Sequence, residues 1–126
     1  MTPLNTLERV RDFHIKFGCD MNYKPTVDEA DLSLFRLSLI QEEVGELARA
    51  LEMKDPVKVL DALTDLQYVL DGAYLAFGFA EVKDDAFREV HATNMTKVCH
   101  ELGARVTHKI LKPKGWIAPN LEQFIK

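Results

Sequence analysis

Apolar side chains recur every three or four residues along most of the chain, the spacing that places them on one face of an α-helix. The first such stretch predicts a helix from about Thr6 to Phe17, which Gly18 ends. The segment from Cys19 to Ala30 contains a proline and has no sustained period, so it is predicted to be a loop. No stretch alternates clearly in the way that a strand would.

A second helix is predicted from about Leu34 to Met53, where a broad apolar stripe continues without a proline. Asp31 or Ser33 is expected to cap it, because short polar side chains accept hydrogen bonds from the free N–H groups of a first helical turn. Gly45 is the weakest point of this helix, since glycine favours the helical conformation less than other residues do.

Asp55 and Pro56 are a strong start signal for a third helix, because aspartate can cap the first turn and proline fits its first position. The helix is predicted to reach about Phe77. Apolar residues occur nearly all round this segment, which predicts burial on several sides. The third helix is therefore expected at the centre of the fold.

A fourth helix is predicted from about Asp84 or Asp85 to Val98, and the tail from Gly103 to Lys126 is expected to be ordered but irregular. Residues 1–126 are read as a single domain, since neither a linker nor an internal repeat interrupts them. The predicted fold class is all-α, a bundle of four to five helices with antiparallel neighbours joined by short loops.

The net charge of the chain argues against a nucleic-acid polymer as its partner. The chain has 126 residues and a net charge of −4, whereas a protein that binds nucleic-acid polymers needs a basic face. A small phosphorylated ligand held by a few lysines and by bridging cations remains compatible with this charge. A chain of this size has a modest core, so a homodimer or homotetramer is expected to cover its long apolar helix.

The two cysteines and the N-terminal segment indicate a cytoplasmic protein. Cys19 and Cys99 are far apart in sequence and lack metal-site spacing, so two buried or free thiols are expected. The first residues lack the apolar core of a signal peptide, and no stretch reaches the roughly 18 apolar residues of a membrane span. No membrane partner is therefore expected.

Carboxylates cluster in the second and third helices. Glu42, Glu43 and Glu46 fall on one helical face, where like charges repel unless a cation or solvent separates them. Taken alone, they fit a solvated acidic face. Asp61 and Asp65 are four residues apart on the third helix, and the apolar sequence around Asp65 predicts a carboxylate that is paired, protonated or bound to metal.

Facing helices that offer carboxylate oxygens favour a hard cation. Magnesium is the expected cofactor, because magnesium keeps some of its water ligands and bridges to phosphate oxygens. Manganese is the alternative. A di-iron carboxylate bundle would also use glutamates on facing helices, but it requires Glu-x-x-His pairs. This sequence contains no Glu-x-x-His.

These motifs resemble the MazG-like, all-α NTP pyrophosphohydrolase superfamily. Members carry E-E-x-x-E on one helix and E-x-x-D on the next, which the second-helix glutamates and Asp65 match. The superfamily's fourth helix often reads His-x-x-Asn-x-x-Lys, as the segment from His91 to Lys97 does here. Its tail often reads Lys-Pro-x-Gly and an aromatic residue, as the segment from Lys112 to Trp116 does.

The resemblance covers roughly residues 7–119 and implies a magnesium-dependent enzyme that cleaves an NTP or dNTP into a monophosphate and pyrophosphate. It implies that Glu43, Glu46 and Asp65 hold the metal. Glu42 would orient or deprotonate the attacking water, or serve as a further ligand. Substrate contacts are expected from the first and fourth helices and the tail, at His14, Phe17, Asn94, Lys97, Lys112, Lys114 and Trp116.

The sequence departs from the superfamily pattern at Ala62, where the second motif usually has a glutamate. At about 100° per residue, Asp61 lies roughly 40° to one side of Asp65, so we expect Asp61 to supply the missing carboxylate. Control or house-cleaning of the nucleotide pool is the implied role, and phage-encoded members leave a phage origin open.

Two alternatives remain. One is phosphoribosyl-ATP pyrophosphohydrolase, an enzyme of the same fold. The other is a non-catalytic helical interaction module whose acidic face binds a basic protein.

Overall fold

A computed structural model of the chain describes residues 4–98 and 110–125. Helix α1 spans Thr6–Phe17, as predicted. The side chain of Asn5 caps it by accepting a 2.9 Å hydrogen bond from the Glu8 N–H, and Gly18 ends it in the left-handed region with φ of 66°. The following loop begins and ends close to its predicted bounds.

Helix α2 spans Ala30–Met53, one turn longer at its N-terminus than predicted. The predicted caps are wrong, because Asp31 and Ser33 lie inside the helix and Glu29 occupies the cap position without a side-chain hydrogen bond. Leu32 explains the extra turn: its side chain is buried, so continuing the helix backwards adds an apolar contact.

Helix α3 spans Pro56–Phe77 and confirms both predicted ends. The Asp55 carboxylate accepts hydrogen bonds from the N–H groups of Val57 and Lys58, at 3.1 and 3.2 Å. Gly78 ends the helix with φ of 82°, in the left-handed region that glycine adopts without a steric penalty.

Helix α4 spans Lys83–Asn94 and ends one turn earlier than predicted. The chain leaves the helix because Val98 pairs with Leu111 in an isolated antiparallel bridge, with hydrogen bonds of 2.8 and 2.7 Å. Lys97 therefore does not share a helical face with Asn94, contrary to the prediction. Residues 110–125 are irregular apart from a short 3₁₀ turn, Glu122–Phe124, while Cys99 and the first part of the predicted tail lie outside the described residues.

The chain forms two compact units, Met1–Glu81 and Val82–Lys126. In the first unit, α1 and α2 both contact α3, which confirms its central place there. The apolar core of this unit is formed by Leu7 and Val10 of α1 against Leu75 of α3. The described residues contain four α-helices and no strand, so the predicted all-α class is confirmed.

The predicted burial of α3 on several sides holds only for its C-terminal part, where residues 71–73, 75 and 76 are buried. Toward the start of the helix, Val57, Leu60 and Leu63 are 76%, 66% and 49% exposed, so the described part of the first unit leaves this apolar surface uncovered. Within the described ranges, no helix combines the length and apolar content that crossing a bilayer requires.

A buried polar cluster joins the three helices of the first unit. His14 of α1, Arg36 of α2 and Asp71 of α3 are 3%, 5% and 0% exposed. The ring of His14 and the guanidinium of Arg36 lie over Gly72, where a Cβ atom would come within 3.2 and 2.9 Å of them. The absence of a side chain at Gly72 therefore lets these two groups approach the backbone of α3.

Candidate active site

The predicted carboxylates line one cleft between α2 and α3, with a volume of about 520 Å³. Helical spacing explains this arrangement, since residues three or four apart share a face and the two helices contact each other. The cleft contains every predicted metal ligand and the predicted catalytic glutamate: Glu42, Glu43, Glu46, Asp61 and Asp65.

Asp65 is exposed in the cleft, so the expectation that its neighbours in sequence would keep it from solvent is wrong. Its apolar neighbours point to other sides of the helix, because successive side chains are about 100° apart. Ala62 forms part of the buried wall of the cleft with 4% exposure, and Asp61 is exposed beside it. The position that departs from the superfamily pattern is therefore buried, while Asp61, the residue before it, offers an accessible carboxylate.

The cleft changes the acidity of Glu43. Partial burial raises its pKa above the ordinary glutamate value, and the negative charges of Asp65, Glu42, Glu46 and Asp61 raise it further. The other four carboxylates of the cleft thus lie near enough to act on Glu43 electrostatically. A cation bound among them would favour the ionised form of Glu43 again.

The cleft also contains two basic residues that the motifs did not indicate, Arg49 and Lys58. The Arg49 guanidinium donates a 2.6 Å hydrogen bond to the Glu46 carboxylate, although both side chains are more than half exposed and such a pair is worth little. Sequence spacing could have found both residues, because Arg49 follows Glu46 by three positions and Lys58 precedes Asp61 by three.

The carboxylates are spread along the cleft. Across the described ranges, no three His, Cys, Asp or Glu side chains come together closely enough to hold a metal ion by themselves. The cleft offers carboxylate oxygens, the type of ligand that magnesium and manganese bind. An open set of this kind suits a cation that takes its remaining ligands from water and from phosphate.

His14 and Phe17, the predicted substrate contacts on α1, occupy different environments. His14 is buried, and its Nδ1 lies 3.0 Å from the carbonyl oxygen of Asp20. Burial lowers the pKa of His14 and the nearby Arg36 charge adds to that effect, while the Asp20 carbonyl opposes it, so the environment favours the neutral ring. Phe17 is 60% exposed. The contact of both residues with a substrate stays a prediction.

The remaining predicted contacts belong to the second unit. The ammonium groups of Lys97 and Lys112 lie 5.2 and 5.0 Å from the centre of the Trp116 ring, within the range of cation–π contacts. The indole N–H of Trp116 donates a 3.0 Å hydrogen bond to the Thr93 carbonyl. Lys114 and Trp116 line a second pocket of about 450 Å³.

Asn94 is the last residue of α4 and is exposed. The structure therefore brings Lys97, Lys112 and Trp116 together in the second unit, although it ends the helix before Lys97.

Comparison with known proteins identifies the family. A family model described as phosphoribosyl-ATP pyrophosphohydrolase matches residues 10–94, about two thirds of the chain. The match includes all five carboxylates of the cleft. A search of curated proteins found no match. The chain therefore belongs to the phosphoribosyl-ATP pyrophosphohydrolase family of the MazG-like all-α superfamily and is a pyrophosphohydrolase of that fold.

Proposed function

We propose that the protein is a magnesium-dependent nucleoside triphosphate pyrophosphohydrolase, which converts an NTP or dNTP and water into the monophosphate and pyrophosphate. The observation that carries this proposal is the meeting of five carboxylates from α2 and α3 in one cleft, in a chain of a pyrophosphohydrolase family. Control of the nucleotide pool, including removal of damaged nucleotides, is the proposed role.

Glu43, Glu46, Asp61 and Asp65 are the proposed ligands of magnesium, or of manganese in its place. Magnesium is usually held by one or two carboxylates together with water and substrate phosphates, so it does not need a closed protein cage. The five carboxylates that line one cleft support this mode of binding. When bound, the ion would neutralise phosphate charge and lower the pKa of a nearby water.

Glu42 is the proposed general base. Its carboxylate is exposed beside the proposed ligands, and it would accept a proton from the attacking water. The water oxygen then forms a bond to the α-phosphorus, and the bond from that phosphorus to the bridging oxygen breaks. Pyrophosphate leaves with the electron pair of the broken bond, so that charge and atoms balance.

Lys97 and Lys112 are the proposed phosphate contacts of the second unit, with Asn94, Lys114 and Trp116 as further substrate contacts. Two ammonium groups near one indole ring concentrate positive charge in a chain that is acidic overall. A phosphate oxygen would accept hydrogen bonds from these groups. His14 and Phe17 are the proposed substrate contacts of α1.

A homodimer or homotetramer is the proposed assembly. The exposed apolar residues of α3 support it, because large apolar patches on a soluble protein are commonly covered by a partner. A second copy of the chain is the proposed partner, since closed homo-oligomers are the commonest assemblies.

Phosphoribosyl-ATP is the second candidate substrate, because the matching family bears its name. An assay of the purified protein with magnesium, the common NTPs and dNTPs, and phosphoribosyl-ATP decides between the two. We expect a higher kcat/KM for at least one NTP or dNTP, with pyrophosphate as a product. A higher kcat/KM for phosphoribosyl-ATP would assign the second candidate.

Calorimetry with magnesium and nucleotide tests the proposal against a non-catalytic module. The proposal requires binding of both and turnover of the nucleotide. A protein that bound neither and hydrolysed nothing would fit an interaction module instead.

A further inference from the structure

Three aromatic side chains form an exposed cluster on the first unit. The ring centres of Phe13 and Phe17 are 4.6 Å apart on α1, and Phe13 meets Tyr68 of α3 edge to face at 5.5 Å. Their exposures are 42%, 60% and 38%. Aromatic residues at helical spacing usually fill a core. This cluster instead presents ring surface to solvent.

The register of α1 against α3 places the cluster toward the acidic cleft. Leu7 and Val10 contact Leu75, whereas Phe13, further along α1, contacts the earlier residue Tyr68 on α3. The two helices therefore run antiparallel, and Phe17 lies toward the end of α3 that carries the cleft residues.

Tyr68 follows Asp65 by three positions, which places the two side chains on neighbouring parts of one helical face, about 4.5 Å apart along the axis. The aromatic surface thus continues from the carboxylates along the same side of α3.

The cluster is distinct from one exposed apolar strip of α3. Leu63 and Leu70, both exposed apolar residues, are two positions before and five positions after Asp65. At about 100° per residue they point to the side of α3 roughly opposite the cleft. An oligomer formed through these leucines would leave the aromatic cluster open.

We propose that Phe13, Phe17 and Tyr68 bind the base of the nucleotide, an inference that rests on the proposed function. A nucleobase is planar and has π faces, so exposed aromatic rings bind it by stacking whatever its pattern of hydrogen-bonding groups. With the phosphates at the carboxylates, the sugar spans the short distance along α3 and the base reaches the rings. Lys16, whose ammonium lies 5.4 Å from the centre of the Phe17 ring, can donate hydrogen bonds to a base carbonyl at the edge of the cluster.

The assignment gives His14 no part in stacking. Its ring is buried against Arg36 and Gly72, so a contact of His14 with a substrate would not be a stacked one. Phe13 and Tyr68 supply the ring surface beside Phe17. The signal in the sequence was the pair of phenylalanines four residues apart on α1.

The test replaces an aromatic ring by leucine, which removes stacking and retains an apolar side chain. Phe17→Leu and Tyr68→Leu are compared with Tyr23→Leu, a matched control because Tyr23 is 72% exposed in the loop after α1. KM and kcat are measured for the preferred nucleotide with magnesium, together with the inhibition constant of inorganic triphosphate, which has no base. Tyr68→Phe keeps the ring and should retain the wild-type KM.

We expect each leucine variant of the cluster to raise KM by about tenfold, the size expected for loss of one stacking contact. kcat and the inhibition constant of inorganic triphosphate should stay at their wild-type values, because stacking acts equally on ground state and transition state. An unchanged KM would overturn the proposal. An equal rise in the inhibition constant of inorganic triphosphate would also overturn the proposal, because it would show that the substitution weakens binding of the phosphates. Sedimentation of the variants as smaller species would instead assign the cluster to a subunit contact.

Binding of a nucleoside α,β-methylene triphosphate, measured by calorimetry, separates this inference from the proposed function. Weaker binding in Tyr68→Leu supports base stacking even if no nucleotide is hydrolysed. Turnover of nucleotides by the wild type, with equal analogue binding in all variants, would reject the base site and leave the proposed function intact.

Discussion

Replacing Glu43 by glutamine should abolish turnover and yet make the metal-free protein more stable. Glu43 shares a helical face with Glu46 and lies near Asp61 and Asp65, and its raised pKa shows that its negative charge is disfavoured where it lies. Glutamine keeps the size of the side chain and removes that charge. Folding should therefore improve while a proposed metal ligand is lost.

The expected gain follows from the number of like-charge neighbours. A like-charge pair three or four residues apart on a helix costs about 0.2–0.5 kcal/mol of folding free energy. Solvent screens the repulsion between exposed carboxylates on opposite sides of the cleft. Glu43→Gln should therefore raise the free energy of unfolding by about 0.5–1 kcal/mol. For a chain of this length that corresponds to a rise in Tm of about 2–5 °C. Because the folded state favours the protonated form of Glu43, the gain should be present at neutral pH and vanish below about pH 4.3.

Thermal unfolding with and without magnesium, followed by an activity assay, measures these effects. Glu52→Gln is the matched control, since Glu52 is exposed on α2 nine positions later, about 180° round the helix and outside the cleft. Magnesium should raise Tm more in the wild type than in Glu43→Gln, because binding stabilises only a folded state that retains its ligands. Unchanged turnover, or an equal magnesium effect in both proteins, would remove Glu43 from the metal site.

The remaining predictions concern the second motif, the buried polar cluster and the assembly. Asp61→Asn should raise the magnesium concentration required for half-maximal activity without lowering Tm, and wild-type metal dependence would refute its role as a ligand. Gly72→Ala should destabilise the fold by about 1–3 kcal/mol because its Cβ would press on Arg36 and His14, whereas Gly45→Ala, with only ordinary contacts, should be neutral or stabilising by denaturant unfolding. Stability should fall as pH drops below about 6.5, because the unfolded chain binds a proton at His14 more readily than the folded chain does. His14→Gln should flatten that dependence, and an unchanged pH profile would assign it to other groups. Sedimentation at micromolar concentration should give a dimer or tetramer, and a monomer alone would contradict the proposed assembly.

The helices of the first unit were largely predictable because their ends carry local signals. Asp55 and Pro56 start α3, and Gly18 and Gly78 end α1 and α3 through left-handed conformations that depend on one residue. The start of α2 was missed because it depends on the burial of Leu32, a tertiary contact that local capping preferences do not report.

The content of the cleft was predictable from residue spacing on two helices, but its solvation was not. The neighbours of Asp65 in sequence suggested burial, whereas its exposure depends on which helices cover α3 in space. Lys97 was misplaced for a related reason. The pairing of Val98 with Leu111, thirteen positions later, decides where α4 ends, and a periodicity within α4 carries no information about that partner.

Identification of the products by phosphorus NMR, with magnesium present and the wild type compared with Glu43→Gln, tests the proposed cleavage between the α- and β-phosphates. We expect the wild type to release pyrophosphate and a nucleoside monophosphate in equal amounts, and Glu43→Gln to release neither. Release of orthophosphate and a nucleoside diphosphate would contradict it, because the carboxylate cleft would then direct cleavage to the terminal phosphate.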